Sequence, residues 1–288
     1  MKPTKARRVF TFFNLLFLTL LMIVCIIPLW HILCISVSEN RYAVAGQVGM
    51  WPMGFTLEAY SFMAEKSNFV NGLFVSLQRV LLGTSINLLM CILTAYPLSR
   101  EQHLFRLRTV YVWFFAVTMF FGGGMIPTFL LVQKLGLYDS IWAMIIPGAM
   151  QVYNMIIMRT YFQSIPGELM EAARIDGANE WQTLWRIVLP LSKASIATIG
   201  LFYAVAHWNS WFNASIYLST ADKAPLQLVL RNMIFNAQTL ARTGEAEIIG
   251  ATTINYAALF ISMVPMMVLY PFVQKYFVKG VMVGSVKG

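Results

Sequence analysis

The stretch Glu171-Ala172-Ala173-Arg174-Ile175-Asp176-Gly177, followed nine residues later by Ile187-Val188-Leu189-Pro190, lies in a long polar interruption of an otherwise apolar chain. Ser164 and Pro166 are helix-start signals ahead of it, and Glu168 puts a carboxylate in the first turn, where the helix dipole favours it. Gly177 suits the left-handed position that ends a helix, so the spacing predicts a helix of about ten residues. Asn179 with Gln182 three residues later reads as a capping box opening a second helix, which Pro190 is not expected to continue. The segment is thus a helix-turn-helix. Ala173 and Gly177 are four apart and share a face without bulk, which lets a groove wall of another protein approach closely. The bland alternative is an amphipathic interfacial helix with no partner.

Outward from this segment the chain is greasy. Of its 288 residues, 58% are hydrophobic and 11% charged, with mean hydropathy +0.66; an ordinary soluble domain carries about 25% charged residues. The composition implies an all-α, polytopic membrane protein. Apolar runs near the length of about twenty residues needed to cross a bilayer fall at 10 to 35, 72 to 98, 108 to 133, 139 to 161, 192 to 217 and 252 to 273. Six transmembrane helices are therefore expected, forming a single transmembrane domain over 1–288. The run from Val9 to Val37 is too long for a cleaved signal peptide and has no small-x-small site before Glu39, so it is expected to stay in the membrane.

The basic residues orient the chain. With the N-terminus (1–9) in the cytoplasm, Lys2, Lys5, Arg7, Arg8, Arg100, Arg106, Arg108, Arg159, Arg174, Arg186, Lys193, Lys275, Lys279 and Lys287 share one side. The other side receives only Arg41, Lys66, Lys134, Lys223, Arg231 and Arg242, and Arg79 lies within a span. This asymmetry predicts that both termini and the loop 162–191 are cytoplasmic. It also accounts for the net charge of +9, and no aromatic-basic patch supports nucleic-acid binding. Two external connections are long, 38–70 and 218–250, and connections of that length carry function or structure of their own.

The segment Glu171 to Pro190 resembles the EAA loop of permease subunits in binding-protein-dependent ABC importers. Seven matched positions coincide by chance about once in 10⁷ to 10⁸ placements at typical residue usage. Gly123-Gly124-Met125-Ile126-Pro127-Thr128, Leu135-Gly136-Leu137-Tyr138-Asp139-Ser140-Ile141-Trp142 and Trp208-Asn209-x-Trp211-Phe212-Asn213 are similar to carbohydrate-uptake permeases related to the maltose permeases. The ending from Gln274 to Gly288 is similar to the tail of a Gram-positive oligosaccharide permease subgroup.

The resemblance implies a type I ABC importer permease fold with a cytoplasmic coupling helix in the bacterial cell membrane. It assigns ATPase coupling to Glu168, Glu171, Ala172, Ala173, Asp176, Gly177, Ile187, Leu189 and Pro190. The implied partners are a second homologous permease in a heterodimer, an ABC ATPase dimer and an extracellular solute-binding lipoprotein that delivers an oligosaccharide. The basic tail 274–288 either reaches the ATPase interface or is a loose cytoplasmic end.

No Walker A, Gly-rich phosphate loop or Walker B carboxylate occurs, so ATP and Mg are expected at the partner ATPase and no cofactor on this chain. Cys25, Cys34 and Cys91 lack CxxC spacing, and His31, His103 and His207 are scattered, so neither a metal site nor a catalytic constellation is supported.

Aromatic faces and amides recognise sugars, which makes Trp208, Asn209, Trp211 and Asn213 substrate-path candidates, together with Gln151 and Asn154. An interfacial aromatic belt with helix-to-helix amide bonds is the alternative for these residues. Arg79 reads as a partner for an acidic sugar, as a snorkelling arginine or as a helix contact. Gly122 to Gly124 with Pro127, Pro147-Gly148 and Pro265 are expected to interrupt the third, fourth and sixth spans. Rival readings are a permease of a peptide or amino-acid ABC importer, an autonomous secondary transporter and an intramembrane enzyme, the last lacking acids within the span cores.

Overall fold

A computed structural model describes residues 4–65, 67–243 and 251–285. Lys2, Lys66, Lys287 and residues 244–250 of the second long connection lie outside the described residues. Among the described residues every regular element is helical. In chain order these are α1 (Lys5–Ser36), α2 (Asn40–Val44), α3 (Glu58–Glu65), α4 (Ser67–Ser99), α5 (Arg108–Phe120), α6 (Met125–Lys134), α7 (Ile141–Ile145) and α8 (Val152–Gln163). They are followed by α9 (Gly167–Ile175), α10 (Glu180–Thr183), α11 (Leu189–Leu191), α12 (Lys193–Asn209), α13 (Phe212–Tyr217), α14 (Leu226–Thr243) and α15 (Ala251–Ser285).

Three helices are single stretches long and apolar enough to cross a membrane: Arg7–Ser36 of α1, Asn68–Ser99 of α4 and Thr252–Pro271 of α15. Three further apolar stretches are bent pairs. The α5 and α6 axes meet at 112°, Ile141–Gly148 and α8 at 53°, and Glu180–Leu191 and α12 at 82°. Gly122 to Gly124 supply the first break, where Gly124 takes φ 82°, a conformation that costs glycine little. Pro147-Gly148 supplies the second. Pro265, by contrast, leaves α15 unbroken, as Pro28 and Pro97 leave α1 and α4 unbroken. One lost hydrogen bond does not end a long helix whose neighbours along the axis remain bonded. The fifth apolar run is interrupted where no Gly or Pro signals it: Ser210 is extended between α12 and α13. The second long connection is largely helical, being occupied by α14.

The described residues gather into two compact units, Met1–Val70 with Leu230–Pro265 and Asn71–Val229 with Met266–Gly288. In the first, Thr4 caps α1 by accepting from the Arg7 amide at 3.4 Å. Cys34, Ile35 and Val48 form a small core with Tyr42, Ala43 and Tyr256.

The second unit holds the larger core, in which Cys91, Ala95 and Leu98 of α4 meet Met155, Met158 and Phe162 of α8 and Ile199 and Tyr203 of α12. Small residues let α4 and α12 approach. A Cβ at Gly83 would collide with the His207 ring, whereas one at Gly200 would meet only the end of Leu88 at 3.2 Å. Gly83→Ala is therefore expected to cost about 1–3 kcal/mol by overpacking, read as a lowered unfolding temperature of the purified protein, with Gly200→Ala milder.

Elsewhere in this unit Asp139 staples two connections. At φ 55° its carboxylate accepts from the Ser219 and Thr220 amides at 2.9 and 3.0 Å, the Thr220 hydroxyl at 2.6 Å and Lys223 Nζ at 2.8 Å. Asn71 Nδ2 donates to the Asp222 carbonyl beside it. Lys223, then the Thr220 hydroxyl and the two amides, hold the Asp139 carboxyl well below the usual range. A depressed carboxyl stabilises above its unfolded pKa of about 4 and loses that contribution only as the pH falls below it. The staple is fully ionised from pH 6 to 8. Asp139→Asn keeps the turn geometry but removes the ion pair, and is expected to speed proteolysis within residues 218–223 at neutral pH.

Candidate functional site

The polar segment between α8 and α12 folds as two short helices with an abrupt turn. Pro166 takes the N-cap position of α9, with Glu168 in the first turn. Ser164 does not start this helix but closes α8, its hydroxyl donating to the Tyr161 carbonyl at 2.7 Å. Gly177 ends α9 in the left-handed region at φ 78°, with open space around a built Cβ. The capping box is complete: the Gln182 amide donates to Asn179 Oδ1 at 2.8 Å and the Asn179 amide to Gln182 Oε1 at 2.9 Å.

Pro190 does not stop the second helix at once. Residues Leu184–Val188 widen into a π-turn, with the Leu189 amide bonded to the Leu184 carbonyl, and helix resumes through Leu191. Proline removes one amide donor from a helical ladder, and a wide turn just before it is a way to absorb the loss without breaking the helix. Ile187 and Leu189 are half-buried around the fully buried Val188, and Pro190 is exposed.

Along α9, Glu168, Glu171, Ala172, Asp176 and Gly177 are exposed, but Ala173 is only 6% exposed. The small face expected at Ala173 and Gly177 is thus divided. Ala173 is packed within this chain, and Ala172 and Gly177 are the small positions left open. Around them sit large apolar side chains without cover in this chain: Ile175 is 87% exposed, Trp181 60% and Trp185 59%. An exposed apolar patch of this kind marks a contact with another protein or with the membrane.

Glu180 joins this segment to the long helix α4. Its carboxylate accepts from the Tyr96 hydroxyl at 2.6 Å, from Arg100 Nη2 at 2.9 and 3.2 Å, and from Arg174 Nη2 at 3.3 Å. The Arg100 side chain is 10% exposed and that of Glu180 55%. Burial works to raise the Glu180 carboxyl, but the Tyr96 hydroxyl, Arg100 and Arg174 outweigh it and bring the group below the ordinary range. The end of α4 is held from its other side as well: Arg159 Nε donates to the Leu98 carbonyl at 2.7 Å and Arg108 Nη1 to the Arg100 carbonyl at 2.9 Å. Cations placed there satisfy terminal carbonyls and suit the negative end of the helix dipole.

Two clefts flank this junction. One, of about 340 Å³ and mostly apolar, lies between Leu93 and Pro97 of α4, Phe105 and Trp181. The other, of about 300 Å³ and polar, lies between the α4–α5 connection and Met170, Glu171 and Arg174 of α9. Glu180 escapes a reading of the sequence because an acid after an N-cap asparagine is explained by the helix dipole alone. The only signal is that Tyr96 and Arg100 share a helix face four residues apart.

The substrate-path candidates fall into separate groups. Arg79, 2% exposed, donates from Nη1 to the Ser210 carbonyl at 2.8 Å and from Nη2 to the Ser210 hydroxyl at 3.0 Å. Arg79 is thus a helix contact that closes the end of α12 at its break and does not snorkel. Trp208 is buried at 2%, while Asn209, Trp211 and Asn213 around the same break are exposed. Asn154, buried on α8, donates to Gln151 Oε1 at 3.3 Å. Asn87 of α4 donates to the Gly148 carbonyl at 3.1 Å and so supports the bend before α8.

Comparison with known proteins gives consistent matches. Residues 61–283 match the family described as binding-protein-dependent transport system inner membrane component. The polygalacturonan/rhamnogalacturonan transport system permease protein YtcP of Bacillus subtilis (strain 168) is 38% identical over 94% of this chain and 96% of its own. Protein LplC of the same organism is 39% identical over 100% of this chain and 98% of its own. Among solved structures, a chain of a bacterial ABC transporter involved in the import of the acidic polysaccharide alginate superposes with TM-score 0.85. It is 32% identical, and the match covers 96% of this chain and 99% of that one.

Proposed function

From a chain that belongs to the family of binding-protein-dependent transport system inner membrane components, we infer a permease subunit that passes oligosaccharides through the membrane of an ATP-driven importer. The fold is the all-helical type I ABC permease fold, and the chain is a transport subunit rather than an enzyme. Its cargo is assigned from its relatives: the permease YtcP serves polygalacturonan and rhamnogalacturonan, and the similar solved transporter imports an acidic polysaccharide. Acidic oligosaccharides are therefore the first class to test.

The observation that carries the mechanism is the exposed α9–α10 pair tied to α4 through Glu180. In this reading α1, α4, the bent pairs α5–α6 and Ile141–Gly148 with α8, then α12 and α15 make six membrane crossings, and the Glu180–Leu191 arm bent away from α12 stays in the polar loop. Both termini and the loop 162–191 face the cytoplasm, in accord with the distribution of Lys and Arg. A separate ATPase dimer, which holds ATP and Mg, docks on Ala172, Gly177 and the exposed Ile175 and Trp181. Its closure pushes α9, and the Glu180 junction passes the displacement to the end of α4. A second, homologous permease completes the path, and an extracellular binding lipoprotein delivers the saccharide to the opposite face. Trp211, Asn209 and Asn213 are the side chains offered to the passing sugar, and Arg79 fixes the break that carries them.

The test is ATPase activity of the assembled complex in proteoliposomes with its binding protein. Stimulation by an acidic oligosaccharide and not by peptides is the expected result. Stimulation by peptides or amino acids alone refutes the saccharide assignment.

A further inference from the structure

The connection between α1 and α3 contains a stretch whose chemistry does not suit open water. From Gln47 to Leu57 it carries no charged residue, and Met50, Trp51, Phe55 and Leu57 are 51%, 74%, 70% and 56% exposed. Its depth is set by α1. A hydrocarbon core of about 30 Å takes up about twenty helical residues, so a core beginning after Arg7 and Arg8 ends near Trp30.

Helix α1 runs on to Ser36, about 9 Å further at 1.5 Å per residue, and the chain then folds back. Trp30 Nε1 donates to the Met50 carbonyl at 2.8 Å, His31 Nδ1 pairs with the Gly49 carbonyl at 3.0 Å, and the Trp30 and Trp51 rings meet edge to face at 6.3 Å. The irregular backbone is satisfied from within: Met53 bonds the Ser38 hydroxyl and the Glu39 amide, at 3.0 Å each, and the Thr56 amide bonds the Val37 carbonyl at 2.9 Å. Non-helical backbone survives near the hydrocarbon only when its polar groups are so paired, and Trp is enriched at the headgroup level.

We propose that residues 49–57 are a membrane-interface anchor, with Trp51 and Phe55 seated in the lipid headgroup layer at the end of α1 remote from the N-terminus. The occupant is the bilayer because the patch continues the apolar surface of α1, whose most apolar window has no buried residue. The inference rests on α1 crossing the membrane and not on which side the N-terminus occupies.

The experiment uses the assembled complex in lipid nanodiscs, with native cysteines replaced and a spin label placed at Trp51→Cys, Phe55→Cys or, for comparison, the charged and exposed Arg41→Cys. The expected result is a ratio of oxygen to nickel-chelate collision several-fold higher at positions 51 and 55 than at 41. Labels at 51 and 55 that meet the nickel chelate as readily as 41, or that neither agent reaches because protein covers them, overturn the proposal. Labels at Leu16→Cys and Leu18→Cys, on opposite faces of α1, separate the premise: if both meet the aqueous chelate, it is the crossing by α1 that fails. Should Trp51→Cys not assemble, Trp51→Phe is expected to lose part of the fluorescence quenching caused by brominated lipid, and unchanged quenching counts against the anchor.

Discussion

Gly177→Val is expected to lower transport per ATP hydrolysed about tenfold while the complex still assembles and inserts. Gly177 sits at φ 78° with nothing within 4 Å of a built Cβ, so no steric clash arises within the chain. The cost is conformational: an L-residue in the left-handed region loses roughly 1–2 kcal/mol, and a β-branched one fares worse. That energy is enough to shift a two-state docking equilibrium by a factor of about 5–30. Relaxing the turn is expected to change the angle between α9 and α10 and so to move the surface proposed above to meet the ATPase. Gly177→Asn, which tolerates the left-handed region, is expected to retain most transport. Uptake and ATPase rates in the same proteoliposomes decide the matter, and a valine variant that transports like the parent refutes a coupling role for this turn.

Glu180→Ala is the second large effect. It removes the acceptor shared by Tyr96, Arg100 and Arg174 and strands Arg100, whose side chain is 10% exposed. Hydrogen bonds to charged groups contribute about 1.5–3 kcal/mol when desolvated, and the half-exposed carboxylate reduces that here. A loss of about 1–2 kcal/mol corresponds to a 5- to 30-fold weakening of the link between the loop and α4. The expected phenotype is ATP hydrolysis that continues while uptake falls. Glu180→Gln keeps an acceptor for Tyr96 but loses both ion pairs, so an intermediate defect is expected.

Because the carboxyl lies below its ordinary range, its contribution is present above about pH 4.3 and disappears as the pH falls through the lowered value. Uptake per ATP by the parent protein should therefore not change between pH 6 and 8 on account of this group. If Glu180→Ala couples normally, the junction is only a packing contact.

How far the sequence discloses all this depends on the range over which each signal acts. The ends of α9 and α10 are written locally, in Gly177 and in the Asn179–Gln182 pair, because capping uses side chains three residues from the backbone they serve. Apolar runs likewise mark length. They do not mark direction, so the 112° turn at Gly122 to Gly124 and the break at Ser210 emerge only in three dimensions. The burial of Ala173 depends on tertiary packing that helix periodicity does not specify, and Glu180 draws two of its three partners from some 80 residues away. Arg79 admits three readings from sequence, since a serine carbonyl at the end of another helix leaves no trace in composition.

One residue more in the turn Leu184–Val188 than an α-helix would hold sets the chain beyond it out of phase with the chain before it. Each helical residue advances about 100°, so the faces presented before Leu184 and after Val188 do not belong to one continuous wheel. Deleting a single residue there would restore ordinary spacing at almost no cost in length. Because the wide turn takes up the extra residue within about one turn, Pro190, Leu191 and the entry to α12 would keep their direction after such a deletion. A deletion beside the wide turn would instead rotate them by about 100° about the axis. In this segment an indel acts as an angular change, and its harm is expected to depend on whether it falls inside the wide turn or beside it.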